Sequence, residues 1–145
     1  MDLNELRVAL VEEIEDTIGL TDAHATARAR MIAGVLGHVF DAYDQVSIDA
    51  LVRAGATEAR PALEAIEGLP AFVVDRVMLL VLGQASFPVD QRLAELLVRR
   101  GVLPKGVDPR QASSRLTRAC PAERMRELYL RLEAAASRER VAAGG

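Results

Sequence analysis

One carboxylate draws attention in this 145-residue chain. Asp90 follows Phe87-Pro88-Val89 and precedes a helical pattern carrying Leu93, Leu96 and Leu97. An aspartate at that place caps a helix well, because the first amides and the helix dipole both favour a negative charge. The same carboxylate can also activate a water or stabilise a cationic transition state, given a ligand close by. The second candidate is the turn Glu67-Gly68-Leu69-Pro70-Ala71. Gly68, Leu69, Pro70 and Ala71 stand where a tight turn offers backbone amides to one phosphate oxygen, although Pro70 itself has none to give. His24 and His38 lie far apart, with no acidic or cysteine partner at ligand spacing, and read as ordinary surface or core residues. Cys120 is the only cysteine. No four-cysteine zinc or iron–sulfur site can form from it, and it reads as a buried, inert thiol. No metal and no cofactor are expected, and no P-loop, dinucleotide-binding or zinc-protease motif occurs.

The elements that must position these residues are helices. Half the residues are hydrophobic but only 3% are aromatic, so the core must be aliphatic. Ala and Leu are strong helix formers, and almost no segment alternates as a half-buried strand does. Leu3, Leu6, Leu10, Ile14 and Ile18 define a first helix closed by Gly19. Thr21 or Asp22 caps a second that runs through Tyr43, where Gly34 and Gly37 suggest close packing against another backbone. Ser47 caps a short helix with Ile48, Leu51 and Val52, ended by Gly55. A fourth spans 57–67, with Pro61 tolerable only in its first turn. The segment from Phe72 to Leu82 is apolar on nearly every side, which predicts the centre of a packed domain. Helices then follow over 90–100, from Asp108-Pro109 through Ala119, and from Pro121 onward. The expectation is an all-α fold: a compact single-domain bundle of about eight helices over 1–138, with 139–145 as a flexible tail.

The net charge is −3, which gives no overall basic field of the kind nucleic-acid-binding modules usually show. Arg99, Arg100, Arg115, Arg118, Arg124, Arg126 and Arg131 nevertheless cluster in the last third. They read first as solvated helix faces paired with Glu95, Glu123, Glu127 and Glu133. Lys105 is the only lysine. No signal-peptide pattern or membrane-length apolar run is present, so a cytoplasmic protein without a membrane partner is expected.

The stretch from Ala59 to Pro104 resembles, without gaps, the helix–hairpin–helix region of the endonuclease III-like DNA glycosylases. Ile66-Glu67-Gly68-Leu69-Pro70-Ala71-Phe72-Val73-Val74 occupies the hairpin, and Gly83 to Arg92, with Phe87-Pro88-Val89-Asp90, occupies the loop and its acid. Arg28-Ala29 with Ile32, Ser47 to Leu51, and Asp108-Pro109 extend the similarity over roughly 28–138. The resemblance implies an all-α fold and base excision on duplex DNA, in which a base is flipped out and its glycosidic bond cleaved. It assigns the catalytic role to Asp90 and DNA-phosphate binding to Gly68, Leu69, Pro70 and Ala71.

The departures from the family pattern matter as much. Phe72 stands at the Schiff-base lysine of bifunctional members, so lyase chemistry is not expected. Glu67 and Pro70 replace the hairpin's proline and second glycine, Arg92 replaces a histidine, and the iron–sulfur cysteines are missing. The expectation is a degenerate glycosylase-like helix–hairpin–helix protein, a monofunctional N-glycosylase if active at all. The alternative is a non-catalytic helical domain that works through a protein partner or as a homodimer.

Overall fold

The computed structural model describes residues 2–19, 21–47 and 49–143, and every regular element among them is an α-helix. The nine are α1 (Leu3–Val8), α2 (Val11–Ile18), α3 (Ala25–Tyr43), α4 (Asp49–Ala54), α5 (Ala56–Glu64), α6 (Ala71–Leu80), α7 (Gln91–Arg99), α8 (Pro109–Ala119) and α9 (Ala122–Ala143). No helix among the described residues is long and apolar enough to cross a membrane. By its internal contacts the chain divides into two compact units, Met1–Leu69 and Pro70–Gly145, where the sequence suggests one domain.

In the first unit α1 and α2 both pack on α3, and α4 packs on α5. The helix expected over the first eighteen residues is broken in two. Ala9 and Leu10 are extended, and Glu13 reaches back to accept the Leu10 amide at 2.8 Å, which restarts the helix at Val11. Gly19 closes α2 with φ +66°, as its sequence position suggests. Asp22 does not cap α3; His24 occupies the cap position, while Asp22 accepts the His24 amide at 2.8 Å and pairs with Arg28 at 2.7 Å. Gly34 and Gly37 do not mark a close approach, because a Cβ built on either meets nothing within 4 Å. Ser47 accepts the Asp49 amide at 3.1 Å at the start of α4; Ile48 lies outside the described residues. Pro61 sits beyond the first turn of α5, so the Thr57 carbonyl has no helical donor. Arg7 lies over the Phe40 ring, 3.9 Å from its centroid.

The second unit has the larger side chains in its core. Phe87, Leu93, Met125 and Tyr129 are all but fully buried, with Leu79, Val89, Leu96, Leu97 and Leu103 around them. The ring of Phe87 meets Tyr129 edge-on, centroids 6.0 Å apart. The central helix is α7 rather than α6, since Leu93, Ala94, Leu96 and Leu97 are all buried. In α6 only Val74, Met78 and Leu79 are buried, and Val81 just past its end is exposed. Both caps read from the sequence hold their helices. Asp90 accepts the Leu93 amide and Asp108 the Gln111 amide, each at 2.8 Å. In α9 the backbone stays helical through residues 139–143, the segment expected as a tail; Gly144 and Gly145 lie outside the described residues.

Candidate functional site

Asp90 ends the irregular segment 83–90 and opens α7. Pro88 and Val89 are buried, so the chain enters the helix at a fixed place and the carboxylate stays at the first turn. One oxygen, Oδ1, accepts the Leu93 amide. The other, Oδ2, faces the Arg92 guanidinium at 3.7 Å. Arg92 is itself held from α9, by an ion pair with Glu133 and by Ser137 Oγ at 3.2 Å. Arg92 therefore ties the start of α7 to α9. Both oxygens of Asp90 are directed at groups of the protein.

A second polar cluster lies on the same unit and has no signature in the sequence. Asp75 of α6 accepts the Ser86 hydroxyl at 2.6 Å and the Ser113 hydroxyl at 3.3 Å. Ser113 also lies 2.7 Å from the Phe87 carbonyl, and Thr117 Oγ1 accepts the Phe87 amide at 2.9 Å. These bonds satisfy the backbone of the buried Phe87, which no helix or strand partner serves. Nearby, Arg76 donates to the Tyr129 hydroxyl at 3.1 Å and lies over its ring. Burial pushes the Tyr129 phenol above its usual range, the Glu133 and Asp90 carboxylates push it the same way, and Arg76 opposes them. Residues 26 to 53 apart in sequence meet here, so no local pattern announces them.

The turn at 67–71 offers fewer donors than its sequence suggests. Gly68 has φ +81°, the left-handed backbone that a glycine takes without strain. Leu69 already gives its amide to the Ile66 carbonyl at 3.2 Å, and Pro70, the cap residue of α6, has no N–H. The amides of Gly68 and Ala71 are what remains. His24 is exposed and His38 half-buried, and no group of three metal-ligating side chains occurs among the described residues. Cys120 caps the carboxyl end of α8 and is half-buried rather than buried.

The arginines sort into two sets. Arg99 and Arg100 both bind Glu139, whose carboxyl they hold below its ordinary range, and Arg131 pairs with Glu127 at 2.7 Å. Arg126 donates to the Leu80 carbonyl at 2.9 Å. The expected partner Glu95 instead accepts from Gln91 at 3.0 Å. Arg115, Arg118 and Arg124 have no acidic partner among the described residues, and neither does Arg110, which the sequence reading passed over. Arg110, Arg115 and Arg118 line one shallow face of α8 together with Gln111 and Ser114. No residue of α8 is acidic.

Charge is also divided along the chain. The first 69 residues hold thirteen acids and five arginines, net −8, and the remaining 76 hold eight acids and thirteen bases, net +5. The overall −3 conceals both values. Counting charge by halves of the sequence is the signal that finds this region.

No protein-family model matches this sequence, and no curated protein matches it.

Proposed function

We propose that this chain is a degenerate helix–hairpin–helix protein, of the kind the endonuclease III-like glycosylases typify, that binds duplex DNA through its second half and excises no base. The observation that carries the reading is the arginine face of α8. Arg110, Arg115 and Arg118 are exposed, free of carboxylate partners and set on a helix without an acid. They span about 12 Å of helix axis. Guanidinium groups bind phosphate oxygens in pairs and keep their charge at any physiological pH. The net +5 of this half draws a polyanion in from a distance. Against catalysis stands the engagement of Asp90, one oxygen on the Leu93 amide and the other facing Arg92. Phe72, at the lysine position of the resemblance, has no amine with which to form a Schiff base.

The test is a titration of a labelled duplex followed by anisotropy across a salt series. Each phosphate neutralised contributes about −0.9 to the slope of log affinity against log salt. The variant Arg110→Ala/Arg115→Ala/Arg118→Ala is expected to weaken binding at low salt and flatten that slope by about two to three. Wild type that shows no binding at low salt, or a triple variant that binds like wild type, removes the reading. Asp90→Asn checks the catalytic half of it. Asparagine is as good a cap as aspartate, so the fold is kept. Wild type and Asp90→Asn are expected to be equally inert on lesion-bearing duplexes. Base release by wild type that Asp90→Asn abolishes restores the glycosylase assignment.

A further inference from the structure

We infer that a groove at the junction of α8 and α9 is a docking site for the acidic amino-terminal helices, α1 and α2, of a second copy of this chain. The groove encloses about 310 Å3, and its lining includes the apolar Leu116, Ala119, Pro121 and Leu128, the Arg131–Glu127 ion pair and the cationic Arg124. Leu128 belongs to the apolar stripe of α9, yet it is 39% exposed, and Arg124 has no acidic partner among the described residues. An occupant that fits must therefore bring apolar side chains and negative charge together.

The stretch 3–18 of the chain itself does so. Leu3, Val8 and Leu10 are 54%, 68% and 67% exposed, three large apolar side chains within eight residues. Glu12 and Asp16, one turn apart on α2, are exposed and have no cationic partner among the described residues. The first unit is net −8 and the second net +5, so two copies attract when the first half of one meets the second half of another. DNA suits the groove poorly, because much of its lining is apolar and Glu127 beside Arg131 repels phosphate, which leaves Arg124 as the one guanidinium there without an acidic partner among the described residues. The proposed docking also uses none of Arg110, Arg115 and Arg118, so it stands or falls independently of the DNA reading. A contact between unlike surfaces is heterologous, and each copy keeps one surface free after the first contact.

The experiment is sedimentation velocity over a concentration series of the full chain, at low and high salt. Wild type is expected to associate with rising concentration, and less so at high salt. Leu128→Asp, which places a charge in the groove, and Glu12→Arg/Asp16→Arg, which reverses the acidic face, are each expected to stay monomeric. Their equimolar mixture is expected to form a 1:1 complex and nothing larger, because each variant retains one intact surface. Helix content by circular dichroism confirms that the variants fold. Leu10→Ser serves as a second acidic-face variant, since serine is a favoured cap for α2 while the apolar contact is lost. Wild type that remains monomeric at its highest soluble concentration overturns the inference, and so does a mixture that does not associate. Association of the variants like wild type, or retained association of an Arg110→Ala/Arg115→Ala/Arg118→Ala protein only when DNA is present, overturns it equally.

Discussion

The two halves of this chain solve the same problem, packing short helices, with different materials. The buried hydrophobic set of the first half is Ile14, Ala25, Ala29, Val39, Leu51, Ala59, Leu63 and Ile66, three of the eight alanine and none aromatic. The second half buries Phe87, Tyr129, Met125 and a run of leucines on α7, and fixes the Phe87 backbone through Ser113 and Thr117 and the Tyr129 hydroxyl through Arg76. Alanine brings helices together but buries little apolar area per residue, while each aromatic or leucine buried contributes about 1.5–3 kcal/mol. The difference teaches that charge and core strength were divided together. The acidic half is the lightly packed one, and the basic half is the one built to hold its side chains still.

The largest expected effect tests that contrast directly. Phe87→Ala removes a fully buried ring from its contact with Tyr129 and is expected to cost about 3–5 kcal/mol, read as a shift in the denaturation midpoint. Amide hydrogen exchange should show the loss concentrated in α7, α8 and α9. A loss spread evenly over both halves breaks the comparison. The next effect runs the other way. Gly34→Ala and Gly37→Ala place a methyl in open space on α3 and should stabilise the first half by about 1 kcal/mol each. If either destabilises, the light packing attributed to α3 is wrong. The smallest effect is at alkaline pH. The Tyr129 phenol is held above its ordinary value of 10.0 by burial first, so it stays neutral longer in the folded chain than in the unfolded one. That contribution is fully present below the unfolded value and is lost as pH rises through the higher folded value. Denaturation midpoints measured from about pH 8 upward should fall beyond about pH 10, and Tyr129→Phe should remove that part of the fall.

What the sequence made legible was local. Asp90 and Asp108 at helix starts, and Gly19 past a helix end, act through neighbours within a turn, so spacing alone locates them. The break at Ala9–Leu10 was hidden because Leu3, Leu6, Leu10 and Ile14 keep helical spacing across it. Periodicity records which face is apolar and not whether the backbone continues. It also ranked α6 above α7 as the centre, since α6 is apolar on more sides. Burial depends on which neighbours arrive, and α7, in contact with both α8 and α9, receives them. The candidate site was half legible for the same reason. Asp90 could be named, but the groups that occupy it, Arg92 with Glu133 and Ser137 behind, are assembled across more than forty residues.

The placement of the two tyrosines has a spectroscopic consequence. There is no tryptophan, and Tyr43 lies in the first half while Tyr129 lies in the second. Tyr129 is buried, set edge-on to Phe87 and bonded to Arg76, an asymmetric and rigid environment that gives a phenol strong near-ultraviolet dichroism. Tyr43, half-buried at the end of α3, has no such surroundings among its described contacts. Each half thus carries its own single chromophore, and the melting of one can be followed optically without a label while the other is silenced by a Tyr→Phe exchange.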